Sequence, residues 1–142
     1  MTGLTRGQIM SALQDGWGTY VEHFERLSPE AQAAFLDRQG YACLGDLLGH
    51  VVAWWEEGQR AIQALLDDPG FDAPDYDVDA FNAQAVERFR AMDEPAVIQA
   101  FEAARQAWLA LLACLPDDAL RDKKIADRLH IEVIGHLAEH DI

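Results

Sequence analysis

The chain has few of the features that mark secreted, membrane-spanning or cysteine-ligated zinc proteins. Its 142 residues include two cysteines, Cys43 and Cys114, which form no CxxC pair, so a zinc site built on cysteines is excluded. No apolar run approaches the ~18–20 residues of a membrane span, and the N-terminus lacks the basic-then-apolar layout of a signal peptide. We therefore expect a cytoplasmic protein with no membrane partner, whose cysteines are reduced and buried in the core.

Basic residues are also scarce. The chain carries 25 acidic and 11 basic residues, which gives a formal net charge of −14. A nucleic-acid backbone is bound by clustered Lys and Arg, so the charge excludes nucleic acid as a partner. The same charge argues against binding to anionic membrane surfaces, and otherwise it mainly favours solubility.

Strand signals are nearly absent, whereas apolar residues recur at helical spacing along almost the whole chain. Half the residues are hydrophobic, which is enough for the core of a single domain over residues 1–142. The sequence therefore predicts an all-α protein, a four-helix bundle with short extra helices in its connections. The long helices are predicted over 5–27, 41–66, 94–115 and 125–142, and the short ones over 28–38 and 79–91.

Three histidines are the most informative residues of the sequence. His136 and His140 lie four residues apart in HIEVIGHLAEHDI, and residues at i and i+4 share one face of a helix. They continue the apolar row of Leu129 and Val133, and His50 lies on a similar row of the second long helix, formed by Cys43, Leu47, His50 and Trp54. Two helices are thus predicted to direct imidazoles into the interior of the bundle.

Three inward imidazoles favour a metal site. A neutral imidazole offers one nitrogen lone pair, which suits zinc, nickel, iron or copper. Three such ligands leave coordination positions open, where a water or a thiol would become more acidic, so the pattern is catalytic more than structural. The alternative is a metal-free scaffold with three core histidines, and His140 also lies where helices fray. His130 lies one step off the Leu129–Val133 row and is predicted on a flank or at the surface, and His23 is predicted at the surface or at a boundary.

The remaining candidates are weaker. Trp54 and Trp55 are adjacent and cannot face the same way, so one is expected in the core and the other at a boundary. Glu56 and Glu57 are expected to be solvated, with the alternative that one of them supports a ligand histidine. The sequence contains no GxSxG, no phosphate-binding glycine loop and no HExxH, and it identifies no catalytic residue.

In these residues the chain resembles the DinB-like superfamily of four-helix bundle proteins. The resemblance rests on DLLGHVVAWWEEG, with His50 followed by Trp54, on DAFNAQAVERFR with Asn82, and on the terminal GHLAEHDI. It implies an up-down-down-up bundle with a divalent metal ion on His50, His136 and His140, zinc or nickel first and iron or manganese next. It also implies a homodimer and a low-molecular-weight thiol, such as mycothiol or bacillithiol, used in transferase or isomerase reactions.

Two functions fit this resemblance. The first is a metal-dependent enzyme, a thiol transferase or a hydrolase of small electrophiles, in which Trp54 and Asn82 would contact the cofactor or substrate. The second is a non-catalytic protein, similar to the ClbS/DfsB-type subgroup, that sequesters a small molecule and keeps its ligand affinity in a His50→Ala variant. The groove of that protein would be lined by Trp54, Trp55, Phe81 and Trp108.

Overall fold

The computed structural model describes residues 4–142, and the regular structure of these residues is entirely helical. The α-helices are α1 (Arg6–Ser11), α2 (Tyr20–Glu25), α3 (Pro29–Gln39), α4 (Leu44–Asp67), α5 (Val78–Arg90), α6 (Glu94–Cys114), α7 (Lys123–Leu129) and α8 (His136–Glu139). A π-helical turn (Ala12–Gly16) and a 3₁₀ turn (Trp17–Thr19) join α1 to α2, and a π-helical turn (His130–Gly135) joins α7 to α8. We call residues 6–25 the first bundle helix and residues 123–139 the last bundle helix.

The contacts between the long helices establish the predicted up-down-down-up bundle. The first and last bundle helices are parallel, α4 and α6 are parallel, and the first bundle helix is antiparallel to α6. The pairs that establish these directions are Trp17–Val133 and Tyr20–His140, Trp55–Phe101 and Gln59–Ala104, and Leu13–Arg105 and Arg6–Leu112. The helix ends differ from the predictions by a few residues, most clearly in α4, which begins at Leu44.

Three tryptophans occupy the centre of the core. Trp17, Trp55 and Trp108 are each at most 1% exposed, and the rings of Trp17 and Trp55 meet edge to face at 4.9 Å between centroids. Trp54 is half-buried, so the predicted division between the adjacent Trp54 and Trp55 is confirmed. The predicted apolar stripes supply most of the remaining core, because helical periodicity places those residues on the inner faces.

Backbone carbonyls of the π-helical turn in the last bundle helix accept hydrogen bonds from two of these tryptophans. The indole nitrogen of Trp17 donates to the Val133 carbonyl at 2.8 Å, and that of Trp55 donates to the Glu132 carbonyl at 2.8 Å. Single π-helical turns inside α-helices are frequent near functional sites. Here the turn immediately precedes His136, and the two indoles bond it to the first bundle helix and to α4.

We expect Trp17→Phe to destabilise the protein more than Trp108→Phe. The first change leaves the buried Val133 carbonyl without its donor, whereas the Trp108 indole nitrogen has no hydrogen-bond partner among the described residues. Both changes remove a similar volume, so the difference reports the hydrogen bond, about 1–3 kcal/mol in the free energy of unfolding. Urea titrations of the two variants measure it, and equal losses would contradict the assignment.

The two short helices in the connections, α3 and α5, each bury a phenylalanine in the core, Phe35 and Phe89. α3 begins at Ser28, whose hydroxyl accepts the amide of Ala31, and it ends at Gly40, whose φ of 82° is in the left-handed region that favours glycine. α5 follows the loop of residues 68–77.

Within the described residues, no helix has both the length and the apolar character that crossing a membrane requires.

Both cysteines are exposed, so the prediction that they are buried in the core is wrong. Cys43 is the residue before α4 and has an extended backbone, while Cys114 is the last residue of α6. A helical row predicts burial only where the helix continues. The row of Leu47 and His50 therefore does not extend back to Cys43.

Candidate metal site

The structure brings the three predicted histidines together. The ring centroid of His50 lies 5.5 Å from that of His136 and 5.2 Å from that of His140, and the last two are 5.6 Å apart. One ring nitrogen of each histidine lies within 4.8 Å of the others. All three residues are buried, at 6%, 8% and 3% exposure. α4 and the last bundle helix, which His140 directly follows, therefore bring the three imidazoles to one point, as the apolar rows predicted.

Asn82 determines the tautomer of His50. The Asn82 Oδ1 atom accepts the indole N–H of Trp54 at 2.7 Å and lies 3.1 Å from His50 Nδ1. An indole nitrogen can only donate, so the amide atom that faces both rings must be the oxygen. His50 Nδ1 consequently carries the proton, and the lone pair of this imidazole is on Nε2.

Gln39 determines the tautomer of His140 in the same way. The Gln39 amide nitrogen donates to the Glu139 carbonyl at 3.3 Å, which directs Oε1 at His140 Nδ1, 2.8 Å away. The Tyr20 hydroxyl donates to the backbone carbonyl of His140 at 2.7 Å. His140 is thus bonded to the first bundle helix and to α3, and these bonds oppose the fraying expected at a helix end.

His136 completes the set, because its Nδ1 lies 3.1 Å from the Glu132 backbone carbonyl, which can only accept. All three imidazoles therefore donate from Nδ1 and keep a lone pair on Nε2. The Nε2 atom of His140 is buried and has no partner among the described residues. A ligand histidine commonly has its other nitrogen bonded to an oxygen in this manner, so the three residues fit a metal ion.

The electrostatics of the site keep the rings neutral. Burial, and then the charges of the neighbouring imidazoles, lower the pKa of His50 and of His140 to about 4. Burial lowers the pKa of His136 as well. A metal ion binds the unprotonated ring, so no proton has to be displaced from this site at neutral pH.

Glu132 is a buried carboxylate that was not predicted to belong to the site. It is 1% exposed, it accepts the Arg128 Nε proton at 2.8 Å through Oε2, and its Oε1 lies 3.4 Å from His136 Nδ1. Burial raises the pKa of Glu132 to about 7, and the positive charge of Arg128 opposes that rise. The sequence did contain a signal, because Arg128, Glu132 and His136 follow one another at helical i, i+4 spacing.

Gly58 provides the space for this carboxylate. A Cβ atom at Gly58 would lie 2.8 Å from Glu132 Cγ and 3.0 Å from Glu132 Oε2. The two predicted acidic candidates are elsewhere: Glu56 bonds Arg88 on an exposed face, and Glu57 accepts the Tyr76 hydroxyl. Neither contacts a histidine of the site, so the alternative that one of them supports a ligand is wrong.

A cavity of about 370 Å³ opens beside the three histidines. Trp54 and Asn82, which were predicted to contact a cofactor or substrate, both line it. The predicted aromatic groove is wrong in part, because Trp55 and Trp108 are wholly within the core and Phe81 stacks behind Trp54 at 4.0 Å between centroids. The lining residues are His50, Trp54, Tyr76, Val78, Asn82, Arg128, Ile131, Glu132, His136 and Glu139.

The two remaining histidines, His23 and His130, are exposed as predicted.

Comparison with known protein families gives a match over most of the chain. The model of the DinB superfamily matches residues 12–142, a range that contains the three site histidines and all residues that line the cavity. No curated protein and no solved structure matches the chain.

Proposed function

The chain belongs to the DinB superfamily, and from this membership and the geometry of the histidines we propose that it binds one divalent metal ion. His50, His136 and His140 would be the ligands. The observation that supports the proposal most directly is the commitment of all three Nδ1 protons to oxygen acceptors, which leaves the buried Nε2 of His140 without a partner. Imidazole ligands suit zinc, nickel, iron or copper. We propose zinc or nickel first, and iron or manganese next.

We propose further that the site performs thiol-dependent transfer to, or hydrolysis of, a small electrophile. A divalent ion on three imidazoles supplies Lewis acidity, which lowers the pKa of a thiol or a water. Trp54 and Tyr76 would bind the substrate through their ring faces, and Asn82 would hold His50 in its metal-binding tautomer. Cys43 and Cys114 do not line the cavity, so a thiol that reacts there would come from a low-molecular-weight cofactor.

Sequestration of a small molecule without catalysis is the second candidate function. The observation that favours it is the apolar wall of the cavity, formed by Trp54, Val78 and Ile131. A His50→Ala variant separates the two functions, because a sequestering protein would keep its ligand affinity when the metal is lost. An enzyme of the proposed kind would lose its activity in the same variant.

We expect wild-type protein to contain about one divalent ion per chain and His136→Ala to contain almost none. His130→Ala is the matched control, because His130 belongs to the same bundle helix and is exposed. Zinc, nickel, iron, copper and manganese would be quantified by mass spectrometry on untagged protein. Loss of a ligand from a three-histidine site leaves too few nitrogens to retain the ion through desalting.

Two outcomes would exclude the proposed site. One is wild-type protein that remains empty after incubation with zinc or nickel and desalting. The other is an equal loss of metal in His130→Ala and His136→Ala, which would indicate loose binding to the acidic surface. Either outcome leaves the three histidines as core residues of a metal-free bundle.

A further inference from the structure

The positive charge in the cavity wall belongs to Arg128, and two of its three guanidinium nitrogens are paired. Arg128 donates from Nε to Glu132 at 2.8 Å and from Nη1 to the Tyr76 hydroxyl at 3.1 Å, and its guanidinium lies over the Tyr76 ring at 5.2 Å. The Glu132 carboxylate is 1% exposed, and in its ionised form it offsets the charge of Arg128 within the wall. Among the lining residues the structure describes, no other Arg or Lys is present. The third guanidinium nitrogen of Arg128, Nη2, has no partner among the described residues, but it is buried. A ligand carboxylate would therefore have to displace part of the wall to reach it.

The rim of the cavity carries a negative charge. Glu139 lines the cavity, is exposed, and forms no ion pair with the residues that the structure describes. The whole chain carries a formal charge of −14, which adds to the negative potential around the opening. Both charges repel an anionic ligand, and neither penalises an uncharged one.

The mouth of the cavity presents apolar surface to solvent. Val78 and Ile131 are 52% and 58% exposed, the largest exposures among the large hydrophobic residues. Facing the same space, Trp54 and Tyr76 meet edge to face at 5.2 Å between centroids. Small-molecule sites combine apolar walls with a few polar groups in this way. A volume of about 370 Å³ accommodates a body of two fused rings.

We propose that this cavity binds an uncharged, largely apolar small molecule and discriminates against carboxylates. The inference rests on the proposed function, because the ligand would share the site with the metal ion. A divalent ion attracts an anionic donor atom at the histidines themselves, so the discrimination concerns the remainder of the ligand. For a thiol cofactor, the cavity selects a thiol whose body carries no carboxylate group.

Two isosteric probes test the inference, 2-naphthylacetamide and 2-naphthylacetate. Equilibrium dialysis at pH 7.5 would be carried out on chelator-treated and on zinc-incubated protein. We expect the amide to bind at least tenfold more tightly than the acetate to metal-free protein, and Glu139→Gln to reduce that ratio about threefold. Ile131→Ser should weaken both probes about tenfold. Met92→Ser is the matched control, because Met92 is 38% exposed and does not line the cavity.

The outcomes separate this inference from the metal proposal. Acetate that binds as tightly as the amide, absence of binding by both probes, or an Ile131→Ser variant that behaves like Met92→Ser would overturn the inference. A preference for the amide in protein that never takes up metal would support the inference and exclude the metal. Metal uptake without probe binding would support the metal proposal and overturn this inference.

Discussion

As the pH falls from 6.5 to 4, each buried imidazole with a pKa of about 4 is expected to lower the free energy of unfolding of the metal-free protein by about 3 kcal/mol. The pKa of His50 and that of His140 are each lowered from 6.5 to about 4 in the folded state, first by burial. At pH 5 the unfolded chain therefore binds protons that the folded chain does not. Stability from these rings is fully present above pH 6.5 and decreases towards pH 4. The second ring adds to the loss in the same direction.

Glu132 acts in the opposite sense. Its pKa is raised from 4.5 to about 7 in the folded state, so its contribution to stability is present below pH 4.5 and decreases as the pH rises through 7. In wild-type protein, the stability lost through the histidines as the pH falls is partly offset by the stability gained through Glu132. Glu132→Gln should therefore lose stability more steeply than wild type between pH 6.5 and pH 4.5.

Urea unfolding followed by tryptophan fluorescence, at successive pH values and with a chelator present, measures these effects. His50→Gln should flatten the profile, because one of the rings that must remain neutral is gone. His130→Gln should match wild type, since His130 is exposed. A wild-type profile without loss of stability down to pH 4 would show that the three rings are not held neutral by burial.

Gly49→Ala is expected to destabilise the protein by about 1–3 kcal/mol, although alanine is the better helix former by up to ~1 kcal/mol. A Cβ atom at Gly49 would lie 2.7 Å from Phe89 Cβ and 2.8 Å from Phe89 Cγ. Phe89 Cβ is bonded to the backbone of α5, so rotation of the side chain does not move it. The α5 helix would therefore have to move away from α4. α5 carries Asn82, and its displacement would disturb the hydrogen bond to His50.

Gly45→Ala is the control for this prediction. It lies one helical turn earlier in α4, and the nearest atom to its added Cβ would be Cys43 Sγ at 3.8 Å, an ordinary contact. Gly45→Ala should be neutral or slightly stabilising, and its zinc affinity should equal that of wild type. Thermal unfolding and a zinc competition assay distinguish the two variants. Equal stability of both would mean that α4 and α5 can separate without cost.

Local periodicity was sufficient to predict the four long helices and the convergence of His50, His136 and His140. Each depends on spacing within one helix, which the sequence displays directly. Gln39 and Tyr20 were not predicted, because they contact His140 across 101 and 120 residues of chain and no local pattern marks such pairs. Glu132 differs from them, since its i, i+4 relation to His136 is visible in the sequence.

Other features had no signal in the spacing of residues. The segment HIEVIG has ordinary amphipathic spacing, so its π-helical geometry was not predicted. The exposure of Cys43 depended on a helix boundary that was misplaced by three residues. The homodimer, the cytoplasmic location, the identity of the metal and the thiol cofactor stay predictions.

Asn82 and Gln39 determine the tautomers of His50 and His140. A metal site transferred from this protein to another would therefore need more than the three histidines. These amides belong to α5 and α3, the two helices in the connections between the long helices. If only the three histidines were grafted onto another four-helix protein, the amide oxygens that keep the proton on Nδ1 and the lone pair on Nε2 would be missing. Loops between helices usually tolerate changes in length, but here an insertion that shifts α3 or α5 would reach the imidazoles. Because Trp54 orients the Asn82 amide, the transferable unit contains six side chains and two connections.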